Sequence, residues 1–257
     1  DLKSSTIINF CCEHGIEYFL GNPRNSRAFK LFGLRKIDVL VSINYLFLIE
    51  IDLINLPAKL AFNIHGSLLP KYRGRTPHVW SIINNESETG ITAHLIDESC
   101  DSGDIMEQII VPIDKEDTGA DILDKFAYKY LELLDVVLSR ITSESVTLTK
   151  QQDSIATYFG KRSPEDGRIN WNWQKERIYN WVRAQAYPYP GAFTFYKTNK
   201  VIIDKIKFTE VGFTDVMSNG LVLSVCPLLV KTPNGVVELC VVRDYDFAPF
   251  ENDIILE

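Results

Sequence analysis

Apolar positions follow two spacings along the first part of this chain. Residues 1–15, with Ile7, Ile8, Phe10, Cys11 and Cys12 set among polar positions and Gly15 as a stop, have the form of the end of a helix. Ile37–Asn44 and Leu60–His65 are mostly apolar, β-branched runs, as parallel strands covered on both faces are. Leu46–Leu56 between them suits a short helix. Thr76–Asn84 has a proline just inside its start and apolar residues at helical spacing, which predicts another helix. Ile91–Ile96 and Ile105–Val111 read as strands, and Thr118–Ser143 as a long amphipathic helix given over to the core. Strand and helix in alternation predict an α/β fold.

After about residue 150 the texture changes. Residues 151–193 are rich in Trp, Tyr, Pro and Gly, with one helical stretch at Lys175–Ala186. Residues 194–256 are short β-type runs split by Asn219-Gly220 and Asn234-Gly235, dipeptides that favour hairpin turns. The expected organisation is a domain over 1–150, a linker and substrate-facing segment over 151–193, and a small β-rich domain over 194–257. No internal repeat is visible.

Composition narrows the function. The 257 residues are 46% hydrophobic and 24% charged, the profile of a folded globular chain. A net charge of 27 − 34 = −7 argues against nucleic acid as the main partner, since phosphate binding wants a basic face. Five scattered cysteines without CxxC spacing suggest neither a disulfide scaffold nor a zinc site, and fit a reducing compartment. With no apolar run near the roughly 18 residues of a membrane span and no signal-type opening, a cytoplasmic protein without membrane contact is expected.

Two polar clusters stand out. In NIHGSLLPKYRGRTPHVW (63–80), Asn63 and His65 lie two apart at a strand end, so their side chains leave the same face, at the sheet edge where open α/β folds bind ligands. In HLIDESCDSGD (94–104), four carboxylates fall within eleven residues beside a glycine. A buried Asp reaching His65 would hold its tautomer and raise its pKa, as a general acid or base needs. A structural histidine and a solvated acidic turn are the competing readings, and the residues alone do not choose between them. The acidic loop lacks EF-hand spacing.

These two segments, together with GKRSPEDGRINW (160–171) and VRAQAYPYPGAF (182–193), resemble the N10-formyltetrahydrofolate-dependent formyltransferases: methionyl-tRNA formyltransferase, glycinamide ribonucleotide transformylase and the amino-sugar formyltransferases. The resemblance implies a Rossmann-like catalytic domain with a small β-rich C-terminal domain. It places the family's catalytic trio on Asn63, His65 and Asp101. The family's first βαβ unit has no counterpart here, so about 40 to 50 residues are expected ahead of Asp1. The implied co-substrate is N10-formyltetrahydrofolate, with no metal. Its pterin is expected in a slot formed by His94, Leu95, Ile96 and Asp97 with Leu46, for which plain core is the competing reading.

RGRTPHVW, NWNW and AYPYPGAF look most like the amino-sugar branch. That implies a nucleotide-linked amino-deoxy sugar, such as a dTDP-amino-dideoxyhexose, made for surface polysaccharide by a homodimer. Lys71, Arg73 and Arg75 are candidates for its pyrophosphate, His78 and Trp80 for the sugar, and Tyr187 and Tyr189 for stacking. A solvated basic turn and ordinary packing compete with these. A tRNA enzyme is disfavoured because residues 156–257 balance 12 Lys and Arg against 12 Asp and Glu. A non-catalytic ligand-binding module is disfavoured by the intact trio.

Overall fold

The computed structural model describes residues 2–20, 35–45, 47–243 and 250–257. Its first layer is a four-stranded sheet in the order β1 (Val39–Ile43), β2 (Leu60–His65), β4 (Glu88–Leu95), β5 (Ile105–Pro112). β1 and β2 are parallel, as their apolar character predicts, with Val39 opposite Leu60 and Ser42 opposite Asn63. β4 and β5 run antiparallel to their neighbours. Only nine residues separate them, too few for the crossover a parallel pair needs.

Helices alternate with these strands, and the last two of the following four pack on the sheet. α1 spans Leu2–Glu13, α2 Ile51–Ile54 and α3 Pro77–Ile83, with Pro77 in the first turn. α4 spans Gly119–Thr142 and opens with a capping box. The Asp121 N–H donates to Thr118 Oγ1, and Asp121 Oδ2 accepts from the Thr118 N–H. Such a cap contributes about 1 kcal/mol. Ile122, Phe126, Leu133, Val137 and Ile141 recur every three to four residues or two turns and are buried against Phe62, Ile64, Ile91 and Ala93.

The second sheet is antiparallel, in the order β7 (Ala192–Tyr196), β8 (Asn199–Thr209), β11 (Gly235–Arg243), β10 (Leu228–Thr232), β9 (Val222–Val225). Its β10–β11 hairpin differs from the expected Asn-Gly turn. Gly235 already pairs with Thr232, so Pro233 and Asn234 are the turn. Asn219-Gly220 joins no adjacent strands; Gly220 has φ +82°, and a Cβ there would lie 2.7 Å from the Leu256 carbonyl oxygen.

The stretch between the sheets is no bare linker. Tyr158–Phe159 form β6, which pairs in parallel with β3 (Arg73–Gly74), and α5 (Lys175–Ala184) packs on both α3 and β8. Among the described residues no helix is long and apolar enough to cross a membrane.

Candidate active site

A cleft of about 750 Å³ opens at the C-terminal end of β2. That lies within the roughly 300–1,000 Å³ of small-molecule sites. Asn63 and His65 line it from β2, His94 from β4 and Asp101 from the β4–β5 loop. Register brings them together: Asn63 is directly opposite His94 on the antiparallel neighbour. Gly103 lets the loop fold back, because a Cβ there would sit 1.9 Å from the Leu95 carbonyl oxygen. Asp101 itself takes φ +54°, in the left-handed region that Asp tolerates better than most residues.

The hydrogen bonds define the protonation pattern. His65 Nε2 lies 2.8 Å from the Tyr72 carbonyl oxygen, which can only accept, so Nε2 carries the proton and the neutral ring's lone pair is on Nδ1. Nδ1 faces Asp101 Oδ1 at 3.6 Å, beyond a direct hydrogen bond. By the same logic His94 Nδ1 donates to the Leu95 carbonyl oxygen at 2.8 Å, and its Nε2 accepts from Asn63 Nδ2 at 3.2 Å. Asn63 keeps a second N–H.

Electrostatics divide the roles. Burial alone would raise the Asp101 pKa, but the His94 and His65 imidazoles and the Gly74 N–H, 2.9 Å from Oδ2, outweigh it and hold the carboxyl well below the usual range. It is a carboxylate at neutral pH. His65 corrects the sequence expectation. Burial lowers its pKa more than Asp101 raises it, and the Tyr72 carbonyl, not Asp101, fixes its tautomer. A neutral imidazole with its lone pair opposite a carboxylate is a base at rest, and the carboxylate stabilises the imidazolium once a proton arrives.

Other expected residues sort by where the strands carry them. His94, Ile96 and Asp97 line the cleft, whereas Leu95 packs toward the core, its N–H given to the Asp104 carbonyl and its own carbonyl to His94. Leu46 lies outside the described residues. Arg73 corrects the reading of the basic turn. It is 1% exposed, donating to Gln151 Oε1 from Nε (3.1 Å) and from one terminal nitrogen (2.7 Å), to Asp153 (2.9 Å) and to the Tyr158 hydroxyl. With four of its five N–H groups engaged, and buried outside the cleft lining, it does not serve a pyrophosphate there. Arg75, two residues on, lines the cleft, and Lys71 is exposed away from it.

His78 lines the cleft from α3, its Nε2 2.7 Å from the Tyr189 hydroxyl; burial, helped by His65, pushes its pKa down to about 4. Burial also pushes the Tyr189 phenol up to about 12. Trp80 does not reach the cleft wall. It packs on Phe159 at 4.8 Å between ring centres and under the Arg162 guanidinium at 5.0 Å. Tyr187 is also off the wall, 74% exposed with Arg243 over its ring. Leu123, Phe126 and Tyr130 of α4 do line the cleft, so the helix assigned wholly to the core supplies one of its walls. Tyr158, Phe159 and Gly160 supply another. Sequence reading missed them because β6 reaches the site only through pairing with β3, 85 residues away.

Among the described residues no group of three or more His, Cys, Asp or Glu could hold a metal ion. An amide, a neutral imidazole and a carboxylate converge at this sheet edge, groups that can donate to a developing negative charge and accept a proton. The chain belongs to the formyl transferase family: residues 22–138 match Formyl transferase and residues 161–244 match Formyl transferase, C-terminal domain. It is 33% identical over 222 residues to the bifunctional polymyxin resistance protein ArnA of Wigglesworthia glossinidia brevipalpis, covering 86% of this chain. The matched region spans 34% of that relative's length. A 4-N formyltransferase from Francisella tularensis superposes with a TM-score of 0.65 at 27% identity, over 77% of this chain and 81% of that one. The N-formyltransferase from Helicobacter canadensis, solved with folinic acid and dTDP-3-aminofucose, gives 0.53 at 26% identity, over 69% and 65%.

Proposed function

We propose that this chain transfers the formyl group of N10-formyltetrahydrofolate to the amine of a nucleotide-linked amino-deoxy sugar. The observation that carries the reading is the convergence of Asn63, the His65 Nδ1 lone pair and the Asp101 carboxylate in one cleft. The neutral amine of the sugar attacks the formyl carbon, and negative charge develops on the formyl oxygen. An N–H of Asn63 donates to that oxygen, and such a donor is worth about 10²- to 10³-fold. His65 Nδ1 takes the proton the amine sheds and Asp101 stabilises the resulting imidazolium. The carbon–N10 bond then breaks, and the proton passes to the departing nitrogen.

The cleft offers both co-substrates suitable walls. Phe47, Leu48 and Ile96 are apolar surfaces for a flat pterin, with Asp97 and His94 beside them for its polar edge. Arg75 supplies a cation for the pyrophosphate, and His78, held by Tyr189 from outside the cleft lining, a polar group for the sugar. The nucleotide-sugar acceptor is supported by the relatives described above and by the even charge of residues 156–257, which gives tRNA no basic face. The reading extends to a cytoplasmic homodimer serving surface polysaccharide, and to the division at about residues 150 and 193. Sedimentation and limited proteolysis test these last points.

The decisive experiment is formyl transfer to a panel of dTDP- and UDP-linked amino sugars beside charged initiator tRNA. Formylation of an amino sugar is the expected result. Formylation of tRNA alone would replace the acceptor and keep the chemistry.

A further inference from the structure

Gln151 is 6% exposed, and every hydrogen-bonding position of its amide is taken. Oε1 accepts from Arg73 at 3.1 and 2.7 Å, and Nε2 donates to the carbonyl oxygens of Asp101 at 2.9 Å and Gly103 at 2.7 Å. The amide can sit only one way round, since a guanidinium only donates and a carbonyl only accepts. The two carbonyls flank one short stretch of loop, and within it Asp101 alone faces the His65 and His94 rings.

The rest of the segment does the same for the other side of the site. Thr157 Oγ1 accepts from the Tyr72 N–H at 2.8 Å, and Tyr72, held at φ +61°, presents the carbonyl that fixes the His65 tautomer. Phe159 pairs with Gly74, whose N–H meets Asp101 Oδ2. A Cβ on Gly74 would lie 2.3 Å from the Phe159 carbonyl oxygen, so strand and segment touch backbone to backbone. Arg73 is the buried cation that orients Gln151, which accounts for an arginine turned away from the cleft.

We propose that Gln151, oriented by Arg73, is a positioning residue that fixes the Asp101 loop so that the carboxylate stands opposite His65 Nδ1. It acts through the loop backbone and touches no substrate. The proposal rests on the reading that His65 and Asp101 carry out proton transfer.

Two variants of similar length test it. Gln151→Glu keeps an oxygen for Arg73 but sets a second oxygen against the two carbonyls; Gln151→Met removes both sets of bonds. In each, kcat for formyl transfer is expected to fall about 10- to 100-fold with both KM values nearly unchanged, as small displacements of reacting groups do. Added to Asp101→Asn, Gln151→Met is expected to cost about twofold or less, because the loop then has no carboxylate to place.

The readout independent of turnover is the titration of the His65 ring by NMR in the unliganded protein. The titratable groups that face that ring are Asp101, His94 and His78, with Cys100 beside Asp101 and the Arg75 and Arg73 cations near Cys100. Loosening Asp101 is expected to move the His65 titration to lower pH. A kcat near wild type, an unchanged His65 titration, or an undiminished loss in the Asp101→Asn background would each overturn the proposal. Failure of both variants to fold would also overturn it, in favour of a purely structural role. If the wild-type protein formylates none of the acceptors, the functional reading falls, and the His65 titration still decides the role of Gln151.

Discussion

The two sheets spend their residues differently. Around the cleft, Asn44, Tyr72, Thr76 and Asp101 all hold left-handed backbone, and His65, His78 and His94 are buried without a surrounding of solvent. Between residues 192 and 243, the sheet of β7 to β11 has one non-glycine residue in that region, Lys197 in the β7–β8 turn, and its centre is Val201, Ile203, Val230, Val236 and Val237. Strained backbone costs about 1–3 kcal/mol per residue and persists only where surroundings impose it. The first sheet therefore carries strain and buried histidines at one edge, while the second keeps left-handed non-glycine backbone to one turn and shows its irregularity as register shifts in the β9–β10 and β8–β11 ladders. The two sheets thus separate strained, buried polar positions from an apolar centre.

Substitutions can break that separation. The largest effect is expected for His65→Ala, with turnover down about 10²- to 10⁴-fold and little change in donor binding, read by steady-state kinetics and titration calorimetry. Asn63→Ala and Asp101→Asn follow, at about 10²- to 10³-fold. Near-native turnover in His65→Ala would remove the first sheet's claim to the chemistry. In the second sheet, Ile203→Ala is expected to lose about 2–5 kcal/mol in urea unfolding while kcat per folded molecule is unchanged. A fall in kcat there would show the two sheets to be coupled.

Acid sharpens the contrast next. His78 titrates near 4 in the folded chain against about 6.5 unfolded, so between those values the unfolded state holds the extra proton. Stability is expected to decline as pH falls from about 6.5 to 4, by up to roughly 3 kcal/mol. His65, also lowered by burial, adds to the decline in the same direction. Asp101 is shifted in the same direction and extends the decline to lower pH: its depressed pKa contributes stability that is present above about 3.9 and lost as pH falls below it. Urea midpoints across pH, with His78→Gln flattening the upper part of the slope, check this.

The basic turn gives the smallest effects. Arg73→Ala is expected to lower the melting temperature, since it strips the buried Oε1 of Gln151 of its donors, at about 1–3 kcal/mol. Arg75→Ala is expected to raise the acceptor KM more than the donor KM. Acceptor binding should change little between low and physiological salt, because a pyrophosphate offers few charges to neutralise.

Much of this was legible in the sequence, for reasons that also explain the failures. β2 and α4 are written in their local periodicity, and Asn63 and His65 stand out at one strand end, whereas Asp101, one of four carboxylates in its loop, is singled out only by the resemblance of its motif to a known family. Arg73 and Arg75 look equivalent in RGR, and only the pairing of β3 with a strand 85 residues later turns one inward. Gln151 has no local signature because its partners Arg73, Asp101 and Gly103 are all distant in sequence. The direction of the His65 pKa depended on burial set against a carboxylate, a balance fixed by packing and not by spacing.

The parallel pairing of β3 with β6 also has a meaning in time. A ribosome making this chain delivers His65 and Asp101 well before Tyr158 and Phe159. Until that later stretch emerges, nothing pairs with Gly74, bonds the Tyr72 N–H or closes the wall of the cleft. Closing so long a loop is a late, non-local step in folding. In the order of synthesis, Asn63, His65 and Asp101 are therefore made before the segment that pairs with Gly74 and accepts from the Tyr72 N–H.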